Sequence, residues 1–239
     1  MDLKNKIAIV TGASSGIGYS FSKMLVQKGA RVYGLSRRLN KLSDIQSELG
    51  EHFIPIQMDI TQSTDVSDWV KDQFSDELPH ILINNAGLAV FGNVEDITIE
   101  DWDTMVNTNL NGVFYLTREI VPLMKNNPDY CHIINISSVA GLLGNPQISG
   151  YNATKFGLRG FSEALFKELR YDKIKVSTMF PGSIATNFFE VAAGADTHDN
   201  MMKPDDVANT LIHLLETPDN FLINEISLRP LNPKNPDDE

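Results

Sequence analysis

The chain has 239 residues with 31 acidic against 20 basic side chains and a net charge of −11. That balance argues against a nucleic acid or an anionic membrane surface as partner. The length suffices for one α/β core, and no apolar run is long enough to cross a bilayer. The amino end, Met-Asp-Leu-Lys-Asn-Lys, lacks the apolar stretch of a secretory signal. Cys131 is the only cysteine, so no internal disulfide can form and a reducing cytoplasm is the expected setting. The histidines are scattered without paired spacing, so no metal site is expected.

Short branched runs alternate with helical patterns along the whole chain. Strands are predicted at 6–10, 31–35, 53–57, 80–84, 131–136, 174–179 and 221–227. Helices are predicted at 15–28, 38–49, 62–74, 99–125, 150–170 and 204–216, the last with Pro204 at its first position and Asp205 and Asp206 in its first turn. This alternation implies an α/β fold, a doubly wound seven-stranded parallel sheet with helices on both faces. Residues 183–203 lack periodicity and are expected to form a substrate lid. Residues 229–239, rich in proline and acids, are expected to run extended on the surface.

Strand Lys6-Ile-Ala-Ile-Val10 passes directly into Thr11-Gly-Ala-Ser-Ser-Gly-Ile-Gly18. A helical pattern follows, with Ile17, Phe21, Met24 and Leu25 on one face and Gly29 as its stop. A glycine-rich turn of this kind lets the backbone approach a pyrophosphate at a helix N-terminus, where N–H groups are free and the dipole is positive. Gly12, Gly16 and Gly18 depart from the G-x-G-x-x-G spacing, yet a tight turn alone accounts for one glycine and not three. A single Rossmann-type dinucleotide-binding domain over 1–239 is the expectation, with Ser14, Ser15 and Ile17 beside the phosphates. The end of the second strand faces the adenosine ribose in such folds. An acid there would accept from the 2′-hydroxyl; this chain has Ser36-Arg37-Arg38 instead. Guanidinium groups suit a phosphate, whereas two solvated arginines at a helix start would oppose its dipole. NADP(H) is therefore expected over NAD(H).

Further along, Tyr151 and Lys155 share one helix face, being an i and i+4 pair. A free phenol has a pKa near ~10, and a neighbouring cation favours its ionised form. Upstream, Ser137-Ser138 follow the strand Ile133-Ile-Asn-Ile136.

With Asn84-Asn85-Ala86-Gly87, Asn109-Leu110-Asn111-Gly112 and Pro181-Gly182 followed by Thr186, these motifs resemble in order and spacing the short-chain dehydrogenase/reductase family. The resemblance runs from about Leu3 to Arg229. It implies hydride transfer between a nicotinamide and a carbonyl or secondary alcohol, with Asn109, Ser138, Tyr151 and Lys155 as catalytic residues. Tyr151 would give or take the proton, Lys155 would lower its pKa and hold the nicotinamide ribose, and Ser138 would hold the substrate oxygen. The Asn109 side chain would help hold a water that relays protons to Lys155; read alone, it is a mid-helix asparagine bonding to local backbone. Cofactor contacts would extend to Asp59 and Ile60 after the third strand, where a lone aspartate equally suits a helix cap. They would continue through Asn85, Ala86 and Gly87 to Pro181, Gly182, Ile184 and Thr186. A homodimer or homotetramer through helix 150–170 is also implied. The family's usual Gly-Gly near the carboxyl end is replaced by Ile223-Asn-Glu-Ile-Ser-Leu-Arg-Pro230, similar to a subgroup acting on small hydroxy-acid or keto substrates.

The expected substrate wall comprises Leu88, Ala89 and Val90, then Val139 through Pro146, then 183–203. Leu142, Leu143, Phe188, Phe189 and Met201 would make it mostly apolar. A small or medium ketone, a β-keto ester or acid, or a diketone fits such a wall. A 3-oxoacyl thioester or a hydroxy acid is the alternative among enzymes, and a non-catalytic NADP-binding sensor or scaffold the alternative outside them. Cys131 is expected to pack at the start of a core strand, Trp69 and Trp102 to pack against the sheet, and Ser137 and Asn107 to be structural.

Overall fold

The central branched runs become strands with no solvent-facing side. β1 (Ile7–Thr11), β5 (Cys131–Ile136) and β6 (Ile174–Pro181) are buried at every position, as expected for a sheet covered on both faces. β2 (Arg31–Ser36), β3 (Phe53–Gln57), β4 (Ile81–Asn84) and β7 (Glu225–Leu228) complete a seven-stranded sheet in the order β3-β2-β1-β4-β5-β6-β7. Every pairing is parallel. The computed structural model describes residues 1–188 and 197–233. The chain builds outward from β1 to β3, then returns to place β4 on the other side of β1. That reversal opens a crevice at the carboxyl ends of β1 and β4, where such sheets bind ligands.

The described helices are α1 (Gly16–Gln27), α2 (Leu39–Leu49), α3 (Ser63–Gln73), α4 (Ile99–Val106), α5 (Gly112–Asn126), α6 (Ser149–Leu169) and α7 (Pro204–Leu215). On one face, Phe21 and Leu25 of α1, Leu42 and Ile45 of α2 and Val207 and Leu211 of α7 pack over Val10, Ile83 and Ile134. On the other, Val66 and Val70 of α3, Leu116 and Ile120 of α5 and Leu165 of α6 cover Ile9, Leu82 and Ile133. Each fully buried side chain of this kind contributes about 1.5–3 kcal/mol.

Three expectations change. The helix predicted over 99–125 is interrupted by a π-helical turn, Asn107–Asn111, between α4 and α5. The last strand begins at Glu225 rather than 221, because side chains of β6 claim the backbone ahead of it: Lys175 Nζ donates to Phe221 O (2.8 Å) and Ser177 Oγ to Ile223 O (2.6 Å). Trp69 packs edge-on against Tyr33 and Phe74, but Trp102 on α4 is 42% exposed. Of the predicted lid, 189–196 lies outside the described residues; on either side of it, Ile184 bridges to Met202. Of the tail, 234–239 likewise lies outside them. No described helix is long and apolar enough to cross a membrane.

Candidate active site

Where β1 ends, Gly12 and Gly16 adopt φ of 68° and 56°, the left-handed region that glycine enters without strain. A Cβ on Gly18 would stand 2.3 Å from Gly12 O and 2.6 Å from Asn85 Nδ2, so α1 presses directly onto the turn. Its N-cap, Ser15, makes no side-chain cap bond and its first turn holds no acid, which leaves the N–H groups for an anion. Thr11 Oγ1 accepts from the Asn85 and Ala86 amides (2.9 Å each) and Asn85 Nδ2 donates to Thr11 O (2.9 Å). These bonds tie the ends of β1 and β4 into one floor.

Arg38 lies across the turn. Its Nη2 donates to Ser14 Oγ and Ser15 Oγ (2.7 Å each), and the Ser14 and Ser36 hydroxyls are 2.8 Å apart. Arg37 is exposed on the same rim. Asp59 Oδ1 accepts from Thr61 N (3.0 Å) and Thr61 Oγ1 (2.8 Å). This is a local Asx turn and not a cap of α3, whose N-cap is Gln62. All predicted cofactor residues except Gly18 line a single cleft of about 1170 Å³. Small-molecule sites are typically ~300–1,000 Å³, so the cleft is large enough for a dinucleotide and a small second molecule. The glycine cradle, uncapped helix and arginine rim fit a nicotinamide dinucleotide.

The catalytic candidates meet at the other end of this cleft. Tyr151 and Lys155 on α6 are 7% and 4% exposed. Lys155 Nζ donates to Ile136 O (2.9 Å) at the end of β5 and stands 5.7 Å from the Tyr151 ring centroid. Burial pushes the Tyr151 phenol up to about 12, with a hydrogen bond from Ser138 opposing it, and burial drives the Lys155 ammonium down to about 8. Burial is therefore the influence that sets the direction of the Tyr151 shift. The ammonium lies over the ring, and desolvation is the largest influence on both groups. Ser138 Oγ accepts from Ala140 N (3.1 Å), which aims the hydroxyl.

Asn109 does not open on the cleft. It is fully buried in the π-helical turn; its Oδ1 accepts from Leu88 N (3.0 Å), and its Nδ2 donates to Leu88 O (2.8 Å) and Thr154 Oγ1 (3.0 Å). Both amide protons are engaged, so any water-holding part falls to the second lone pair of Oδ1. Ser137 braces the helix by donating to Lys155 O (3.1 Å), and Asn107 accepts from Asn111 Nδ2 (2.8 Å).

The apolar side chains lining the cleft around Tyr151 and Lys155 include Leu88, Ala89, Phe91, Val139, Ile148 and Phe188. Phe91 and Phe188 flank the Tyr151 ring at centroid distances of 6.3 and 5.9 Å. Val90, Leu142, Leu143 and Met201 do not line the cleft, and Phe189 lies outside the described residues. Leu143 is turned out, 48% exposed, because Asn152 Nδ2 holds Ala140 O (2.6 Å) and Leu143 O (2.8 Å) against α6. Sequence reasoning missed Phe91, Asn152 and Thr154. The two polar residues enclosed by Tyr-Asn-Ala-Thr-Lys were the available signal, since they sit on the same short stretch of helix as the buried pair.

Residues 6–195 match the family described as short chain dehydrogenase. The chain is similar to an uncharacterized oxidoreductase of Staphylococcus epidermidis, 31% identical over 233 residues that cover 96% of this chain and 99% of that protein. Among solved structures, it resembles the closed form of a serine dehydrogenase complexed with NADP+, at TM-score 0.88 and 30% identity over 93% of this chain and 94% of that one. A 3-ketoacyl-(acyl-carrier-protein) reductase of Brucella melitensis complexed with NADH gives 0.87 and 28% over 96% and 98%. With the motifs gathered in one cleft and the match extending over most of its length, the chain belongs to the short-chain dehydrogenase family of oxidoreductases.

Proposed function

We propose that the protein interconverts a small or medium carbonyl compound (a ketone, β-keto ester or acid, or diketone) and its secondary alcohol with NADP(H), Tyr151 serving as general acid and base. The observation that carries this reading is one cleft holding the glycine turn and Arg38 at one end and Ser138, Tyr151 and Lys155 at the other. A bound nicotinamide dinucleotide supplies the hydride. Gly12, Gly16 and the α1 N-terminus would hold its pyrophosphate, Lys155 its ribose hydroxyls, and Pro181, Gly182, Ile184 and Thr186 the nicotinamide side.

Ser138 and Tyr151 present hydroxyls to the substrate oxygen. Negative charge on that oxygen grows toward the transition state, so fixed donors favour it over the ground state. With its pKa raised to about 12, Tyr151 is protonated at neutral pH and ready to donate during reduction. The ammonium beneath it offsets the charge the phenol acquires on giving up the proton. The choice of NADP(H) is supported by Ser36-Arg37-Arg38, where an exposed guanidinium and one seated on Ser14 and Ser15 border the ribose end. Oxidation of a hydroxy acid is the second reading, favoured by the likeness to a serine dehydrogenase. Phe114 and Phe156, 48% and 43% exposed on α5 and α6, support a homo-oligomer, which light scattering tests.

The decisive experiment follows NADPH and NADH oxidation with diacetyl, ethyl acetoacetate, acetoacetate and a sugar, and NADP+ reduction with L-serine. NADPH-dependent turnover of a carbonyl, with Arg37→Asp shifting preference toward NADH by roughly tenfold or more, supports the reading. Tight NADPH binding with no turnover of any member points to a sensor instead.

A further inference from the structure

Thr154 stands between the two catalytic candidates of α6 and is 1% exposed. Its hydroxyl donates to Tyr151 O (2.9 Å) and accepts from Asn109 Nδ2 (3.0 Å). Asn109 uses its other amide proton on Leu88 O (2.8 Å) and takes Leu88 N at Oδ1 (3.0 Å). A closed bracket therefore runs from α6, through the π-helical turn, to the chain leaving β4. Its two ends meet at the cleft floor, for a Cβ on Gly87 would stand 3.2 Å from Asn109 Oδ1 and 3.5 Å from Lys155 Nζ.

A β-branched residue adds nothing to helix stability here, and valine would fill the same volume. What valine lacks is an acceptor for the Asn109 amide, which would then be buried with an unpaired proton. We propose that Thr154 is a positioning residue: through Asn109, its hydroxyl sets the register of Tyr151 and Lys155 against the Gly87–Leu88 floor. It touches neither substrate nor cofactor. Its effect on turnover rests on the oxidoreductase reading above; the bracket itself does not. Misplacing a reacting group by about 1 Å costs roughly a hundredfold in rate, so a loosened bracket is visible in kcat.

The test compares Thr154→Val, which keeps the shape, with Thr154→Ser, which keeps the hydroxyl. Two readouts are followed: NADPH-dependent reduction of diacetyl, and amide exchange of Leu88 by NMR. The valine variant loses roughly ten- to a hundredfold in kcat with little change in the KM for NADPH, and its Leu88 amide exchanges faster. The serine variant restores both. On an Asn109→Ala background, Thr154→Val costs nothing further, because the two residues act as one unit. The proposal is overturned if the valine variant keeps wild-type kcat and Leu88 protection, if serine is as slow as valine, or if the two losses multiply. Thr154→Ala, which also lacks the hydroxyl, replaces the valine variant should that one fail to fold. A wild type inert toward every carbonyl overturns the functional reading, and Leu88 exchange then decides the bracket by itself.

Discussion

Two lysines are buried at opposite ends of the neighbouring strands β5 and β6, and they are treated differently. Lys175, 7% exposed near the start of β6, donates to Pro218 O (2.6 Å), Phe221 O (2.8 Å), Thr217 Oγ1 (3.3 Å) and Thr217 O (3.4 Å). Lys155, 4% exposed beside the end of β5, has Ile136 O (2.9 Å) as its one hydrogen-bond acceptor among the described residues. Burial lowers the pKa of both. An ammonium has three protons to place. Lys175 places all of them on oxygens just past α7, where the helix dipole also favours a cation. Lys155 places one on the backbone at the end of β5, next to the cleft. Four protein oxygens fix Lys175 as a structural charge, whereas Lys155 lines the cleft together with Ser138 and Tyr151.

The comparison breaks first on activity. Tyr151→Phe removes the proton donor beside Lys155 and should lower kcat by about 10²–10⁴ in steady-state assays, with NADPH binding intact. A phenylalanine variant at wild-type rate would reassign the acid/base role. The amino end of these strands is where acid should act: His132, paired in register with Lys175, is held by burial down to about 3. Its folded pKa is depressed, so the unfolded chain takes up a proton that the native state refuses once pH falls below ~6.5. Urea denaturation should show about 3 kcal/mol lost between pH 6.5 and pH 4 from this residue, and His132→Gln should flatten that slope.

The lysines themselves give the sharpest contrast. The Lys155 pKa falls from 10.5 to about 8, so native stability drops as pH falls through that interval and stays reduced below it. Lys155→Met should therefore stabilise the protein at pH 7 by about 1–3 kcal/mol while abolishing turnover. Lys175→Met should destabilise it by roughly 1–3 kcal/mol, because buried carbonyls lose their donor, and should leave catalysis alone. Denaturation midpoints that move the same way in both variants would end the distinction.

Local features were legible in the chain itself. Strand and helix identity follow from period and capping, and the phosphate turn from glycines between a strand and a helix. The Tyr151–Lys155 face follows from helical spacing, and the arginine rim from its place after β2. Tertiary structure alone decided the rest. It seated Arg38 on Ser14 and Ser15, brought Phe91 rather than Val90 to the wall, and started β7 late because β6 side chains took its carbonyls. It also joined Asn109 to Thr154 across 45 residues, and set Tyr151 high and Lys155 low. The physical reason is common to all of these. Spacing reports which groups share a face, but desolvation and the choice among competing hydrogen-bond partners depend on residues remote in sequence, and those meet only when the sheet and its helices close around them.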